Sequence, residues 1–206
     1  EYLGIRAPFF IAAGLSLVNF VFGLVSVPES LPKERRRKIE PLKLIPGVSL
    51  FKIGTYGIGI MIFAFFLANL AGYVMPATWT PFCMEMYGWE EGDVGVSLTV
   101  VGVLVAVVQA VLLGIAVKKF GQRRVILGGF ILWTVGVTIF AFAYTPFLLY
   151  AFMLPYILGG VAGPTLQGYL SNKVPEDKQG SLQGALTQLI SISPIISSIM
   201  FTGLFA

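Results

Sequence analysis

Apolar residues in this chain run in blocks instead of alternating, at residues 8–27, 54–79, 94–117, 125–143, 147–170 and 180–206. Each block approaches the roughly 20 residues that an α-helix needs to cross a bilayer. Polar and charged residues collect between the blocks, so the pattern predicts an all-α membrane protein with six transmembrane helices. Pro8 suits the first helical position of the first block, and Pro28 closes it. Residues 1–27 therefore read as one helix, 28–53 as a long polar linker and 54–206 as a bundle of five helices.

Polar side chains inside the blocks fall on particular faces. In the second block Asn69, Tyr73, Pro76 and Thr80 recur at i, i+4, i+7 and i+11, one helical face. In the third, Gly95, Gly102 and Gln109 are spaced by seven, and Gln109 is the polar side chain of the deep half. The fourth carries little beyond Trp133, Thr134 and Thr138 and is predicted to face mostly lipid. The fifth is interrupted by Pro155 and by Gly159-Gly160…Gly163-Pro164. There Gly160, Gly163 and Pro164 support either close small-residue packing or a flexing helix. Gln167 follows on the same face as Gly160 and Pro164. In the sixth block Gln183, Thr187, Ser191 and Ser198 form a stripe, with Gln188 beside it. Facing lipid would be costly for this stripe, so a protein interior or a water-filled cavity is expected, and its length favours the cavity.

Charge then orients the spans. Only 12% of the 206 residues are charged, against 56% hydrophobic, where soluble domains are about a quarter charged. The loops hold seven, zero, four, zero and two cations in order, with Arg6 before the first span. That alternation puts the basic loops in the cytoplasm and the acidic loop with Glu85, Glu90, Glu91 and Asp93 outside. The basic linker at 28–53 is read as cytoplasmic, not as a nucleic-acid patch. With no histidine and one cysteine, Cys83, neither a His/Cys metal site nor a Ser-His-Asp triad can form, and an enzyme is not expected. A scaffold would not need the polar stripe. Every acid lies in a loop or at a span edge, so a proton-coupling group is expected outside these helices. The chain reads as a piece of a longer one.

The hairpin Gly114-Ile115-Ala116-Val117-Lys118-Lys119-Phe120-Gly121-Gln122-Arg123-Arg124 resembles the cytoplasmic loop motif of the major facilitator superfamily, whose usual Asp-Arg is replaced by Lys118-Lys119. Gly114, Lys118, Lys119, Gly121, Arg123 and Arg124 carry that likeness. Further segments resemble the tetracycline-efflux branch of the drug:proton antiporters. They are Phe22-Gly23-Leu24, Pro28-Glu29-Ser30-Leu31-Pro32, Pro76-Ala77-Thr78-Trp79, Tyr87-Gly88-Trp89, Val94-Gly95-Val96-Ser97-Leu98, Gln109-Ala110, Gly163-Pro164-Thr165-Leu166-Gln167-Gly168 and Gln179-Gly180-Ser181-Leu182-Gln183-Gly184. The resemblance implies the sixth to eleventh helices of a twelve-helix fold, from the last helix of the N-terminal bundle into the C-terminal bundle. It also implies alternating-access efflux of a lipophilic drug in a bacterial inner membrane. The energy source would be the proton gradient, with no cofactor and no metal. Partners would be the bilayer, a small lipophilic solute and the N-terminal half of the same transporter, not nucleic acid. Asn69, Tyr73, Gln109, Gln167, Gln183, Thr187, Gln188 and Ser191 are the cavity candidates, on the second, third, fifth and sixth spans, with the fourth outside. A carrier for a sugar or an organic anion is the competing reading. A charged solute, however, would ask for Lys or Arg inside a span.

The topology is directly testable. Single cysteines at Gly92 and at Gln122, in a Cys83→Ser background, should react with an impermeant thiol reagent from opposite sides of sealed cells. Labelling of both from outside would overturn the assignment.

Overall fold

The computed structural model describes residues 6–26 and 57–205. The predicted linker at 28–53, the start of the second span at 54–56 and residues 1–5 lie outside the described residues. So does the Pro28-Glu29-Ser30-Leu31-Pro32 segment. The described residues are helical with no strand. They form six helical stretches long and apolar enough to cross a membrane. The chain divides into two units, residues 1–41 and 42–206. The described residues of the smaller form α1 (Ala7–Ser26), predominantly apolar and exposed along its length, with Phe9 75% and Val25 83% accessible.

The larger unit contains the other five spans. The second is α2 (Gly59–Gly72) followed by α3 (Val74–Tyr87), and the third is α4 (Glu91–Val107), a π-helical turn (Val108–Leu112) and α5 (Leu113–Phe120). The fourth is α6 (Gln122–Phe140), the fifth is α7 (Pro146–Gly159) followed by α8 (Ala162–Ser171), and the sixth is α9 (Gln179–Phe205). The helices overrun the predicted blocks in several places. The second span continues through Pro81 to Tyr87, where Gly88 at φ +65° closes it with a left-handed cap. The third begins at Glu91, because Glu90 and Asp93 form a reciprocal capping box around its first turn. The fourth begins at Gln122 and ends at Phe140, before the predicted 143.

Two spans are broken, each near one proline, and the sequence distinguishes those two prolines from three that leave the helix continuous. Proline cannot donate to the carbonyl four residues back, and its ring crowds that carbonyl. Pro81, Pro155 and Pro194 sit inside continuous helices, and the residues four before them are Ala77, Ala151 and Ile190. Pro76 and Pro164 follow glycines at that spacing, Gly72 and Gly160, and there the helix gives way. Glycine's poor helix propensity removes the resistance that alanine or isoleucine would offer. The two breaks match in register. Ala77 N–H resumes bonding at Tyr73 O (3.1 Å) and Thr165 N–H at Val161 O (3.3 Å). The interruption expected at Pro155 is absent, and one at Tyr73 was not anticipated.

The breaks let each span serve two cores. One core is built from Trp79, Cys83, Val94, Phe140, Leu149 and Met153, on α3, α4, α6 and α7. The other holds Ile62, Phe65, Leu166, Leu170, Leu182 and Leu186, on α2, α8 and α9. The second span leaves one core for the other at Tyr73, and the fifth crosses the opposite way at Gly160–Val161. Helix α6 bridges them, since Val125 and Phe140 belong to the first while Ile126 and Phe130 pack on the second.

The fourth span is thus not the lipid-facing helix that its sequence suggested. One face, with Leu127, Ile131 and Val135, is exposed, but the other makes the most extensive helix contacts of the bundle, against α7 and then α8. Three glycines permit this. A Cβ on Gly136 would lie 2.5 Å from the Tyr156 backbone, one on Gly159 2.4 Å from the Trp133 backbone, and one on Gly129 2.9 Å from the Ala162 side chain. Such close crossing is how helices gain packing in lipid, where tails are as apolar as leucine.

Gly136→Ala and Gly159→Ala should each destabilise the bundle by about 1–3 kcal/mol or more, the cost of overpacking. Gly128→Ala, which meets nothing within 4 Å, should not. Thermal unfolding of purified protein followed by size-exclusion fluorescence would show the difference.

Candidate functional site

The two breaks face one another across a cavity of about 340 Å³. The second span contributes Asn69, Gly72, Tyr73 and Pro76, the fifth Gly159, Gly160 and Gly163, and α6 supplies Phe130 and Trp133 as an aromatic wall. Each break occurs because a proline lacks a donor, and each leaves carbonyls at a helix end without intrahelical partners. Leu70 is one of the last four residues of α2, and its carbonyl accepts a hydrogen bond from Ser197 Oγ on α9 at 2.7 Å. A hydroxyl from the sixth span therefore supports the broken end of the second.

Asn69 Nδ2 donates to Phe65 O at 2.8 Å on its own helix. That bond leaves its Oδ1 and the Tyr73 hydroxyl without a partner among the described residues. The cavity thus offers one carbonyl acceptor, one phenol and two aromatic faces, with no charge. Such a surface suits an uncharged or weakly polar ring system held by stacking and one or two hydrogen bonds. Trp133 was not among the predicted cavity residues. Gly129 and Gly136, seven apart on its helix, were the available signal.

The remaining candidates fall elsewhere. Gln167 on α8 and Gln183 on α9 are joined, Gln167 Nε2 donating to Gln183 Oε1 at 2.8 Å. Thr187 and Ser191 are exposed further along α9, and Ser191 Oγ bonds Thr187 O at 2.9 Å. Gln188 is half-buried. Gln109 lies in the π-helical turn, exposed, and lines neither this cavity nor a second one near Trp79. The structure therefore brings Asn69 and Tyr73 together with Gly160 and Gly163, pairs Gln167 with Gln183, and leaves Gln109 apart. Pro164 terminates the break without lining the cavity.

Helix α9 carries two polar faces where the sequence suggested one. Thr187, Ser191 and Ser198 point outward. Ser193 and Ser197 are fully buried against the bundle, and Ser193 Oγ donates to Leu189 O at 2.8 Å. The buried pair is packing glue; the outward stripe is left for whatever covers or wets it.

The basic hairpin is tighter than expected. Lys118 and Lys119 close α5, Arg123 and Arg124 open α6, and only Gly121, at φ +79°, stands between the helices. A left-handed residue here requires glycine. Gly114 lies one residue into α5. All four cations are exposed.

A family model for the Major Facilitator Superfamily matches residues 1–204. The chain belongs to the major facilitator superfamily. It is 34% identical over 206 residues to the class C tetracycline resistance protein of Escherichia coli, covering 99% of this chain and 52% of that protein. The class G protein of Vibrio anguillarum is 32% identical, covering 98% of this chain and 51% of that protein. The class B protein of Escherichia coli is 30% identical, covering 97% and 50%. The chain spans about half the length of the curated relatives it matches. No solved structure matches it. This superfamily member is a multi-pass membrane protein, as its apolar blocks implied.

The division of α9 into two faces has a simple readout. Thr187→Cys and Ser191→Cys should react with a polar thiol reagent in membranes. Leu186→Cys and Ser193→Cys, at fully buried positions, should be protected. Equal reactivity at all four sites would show that the outward stripe is not distinct.

Proposed function

We propose that this chain is half of a transporter that exports a lipophilic drug such as tetracycline, by alternating access and at the expense of a proton gradient. The observation that carries this reading is the 30–34% identity, over nearly the whole chain, to proteins named for tetracycline resistance. The uncharged aromatic cavity between the two breaks supports it, since it presents no cation for an organic anion and few hydroxyls for a sugar. In this reading the bilayer of a bacterial inner membrane surrounds the bundle, and the N-terminal half of the same transporter covers the outward stripe of α9. Gln167, Gln183, Thr187 and Ser191 then contribute hydrogen bonds to the path between the halves. The energy source is the gradient itself, with no bound cofactor and no chemical conversion of the solute. Amides and hydroxyls do not titrate in the working range, and the carboxylates on these helices, Glu85, Glu91 and Asp93, sit in an end turn of α3 or α4, so the group that carries the proton at bilayer depth belongs to the rest of the transporter.

The test is drug uptake into everted vesicles made from cells expressing the full-length protein. Tetracycline should accumulate when an inside-acid gradient is imposed and leak out when a protonophore collapses it. Accumulation of a sugar or an organic anion, with no drug movement, would sink the reading. Arg123→Glu with Arg124→Glu should abolish resistance, through misorientation of the hairpin or loss of its cytoplasmic contacts, and normal resistance would show those arginines dispensable.

A further inference from the structure

A second cavity, of about 330 Å³, lies on the far side of Pro76 and opens among α3, α4, α6 and α7. Pro76 lines both cavities, and nothing else is shared between their linings. The walls are aromatic and thioether side chains: Trp79, Phe140, Tyr156, Met75 and Met153. Phe140 meets Trp79 edge-on, with ring centroids 5.9 Å apart, and Tyr156 at 5.7 Å in the same manner. Phe140 is set edge-on between Trp79 and Tyr156, at 90° and 69° to them, an arrangement that offers a flat π-system contacts from more than one side. Methionine adds a polarisable, adaptable surface.

The polar groups decide the class of ligand. Trp79 Nε1 already donates to Ser97 Oγ at 2.9 Å, and Ser97 Oγ to Val94 O at 2.7 Å, so the indole acts here as an apolar wall. Thr80 differs. Thr78, Thr99, Thr134, Thr138 and Thr165 return their hydroxyls to the carbonyl four residues back, at 2.6–2.9 Å. The Thr80 hydroxyl, whose acceptor at that spacing would be Pro76 O, makes no hydrogen bond among the described residues, and Thr80 borders the cavity. No charged residue lines the space. The volume lies at the lower end of the range that holds a drug-sized ligand.

We propose that this cavity, among α3, α4, α6 and α7, is a second binding site for an uncharged polycyclic aromatic solute with one hydrogen-bonding edge. The rings and methionines hold its faces, and the Thr80 hydroxyl takes its polar edge. Its physiological meaning rests on the reading of the chain as part of a drug exporter, with Pro76 as the partition between two resting places for the solute. Binding itself does not depend on transport.

The probe is N-phenylnaphthylamine, neutral and aromatic with one N–H, titrated into the full-length protein in nanodiscs and read by energy transfer from tryptophan. Leu98→Phe adds volume at a half-exposed lining position and should weaken binding about tenfold or more, while Thr80→Val, equal in shape, should weaken it about fivefold, one hydrogen bond. Circular dichroism and a single size-exclusion peak check that both variants are folded. Unchanged affinity in folded Leu98→Phe would overturn the site. The cation tetraphenylphosphonium binding more tightly, with the same dependence on Leu98, would overturn the neutral-ligand assignment. Binding in detergent that vanishes in nanodiscs would show that acyl chains fill the cavity, and also overturns it. Loss of drug export with these affinities intact would count against the transport reading alone.

Discussion

A helix in lipid must satisfy its own backbone, and two glycine–proline pairs in this bundle prevent it. At Pro76 and at Pro164 a donor is missing, the carbonyl four residues back belongs to glycine, and the helix parts. In hydrocarbon an unsatisfied backbone group costs several kcal/mol, so irregular backbone survives only where protein buries it or a cavity borders it. Both conditions are met here. Ser197 reaches from α9 to Leu70 O, and the two breaks share one cavity. The cavity is thus a consequence of where the backbone cannot continue, and the aromatic wall of α6 closes it.

The same pair of breaks explains why one bundle has two cores. A straight second span would carry its apolar face along one neighbour throughout. Broken at Tyr73, it gives α2 to the core of α8 and α9 and α3 to the core of α4, α6 and α7. The fifth span makes the reverse exchange, and α6 ties the halves because its glycines let α7 and α8 approach to backbone contact. Large changes at either break would therefore move whole cores relative to each other, since packed interiors shift as units and do not deform continuously.

Six spans, their approximate limits and the polar faces of the second and sixth were legible in the sequence, because block hydropathy and helical spacing report on bilayer crossing and burial. Asn69 and Tyr73 share a helical face by spacing, and both line a cavity. What escaped was set by partners in space. Thr187 and Ser193 are equally polar in sequence, yet one is exposed and the other fully buried, and the packing of α2 and α3 on α9 decides which. Trp133 read as part of a lipid-facing span because Gly129 and Gly136, the signal of close packing on its helix, do not say that Gly159 lies opposite. The π-helical turn at Val108–Leu112 contains no glycine or proline, and so no breaker marked it. Gly95, Gly102 and Gln109 are all exposed, so the face that the seven-residue spacing marked points away from both cavities before the turn begins.

The basic hairpin shows two electrostatic rules in conflict and which one prevails. Lys118 and Lys119 end α5, where a helix dipole favours cations; Arg123 and Arg124 begin α6, where it opposes them. Exposed positions limit that opposition to about 0.3–1 kcal/mol each. Placing an arginine at the centre of the bilayer costs about 2.5–3.5 kcal/mol by insertion scales, so a charge that pins the helix end in water outweighs the unfavourable dipole. The one-residue turn follows from the same requirement. With Gly121 in a left-handed conformation, both helix ends stay at the surface, and no polar backbone is drawn into the hydrocarbon between them.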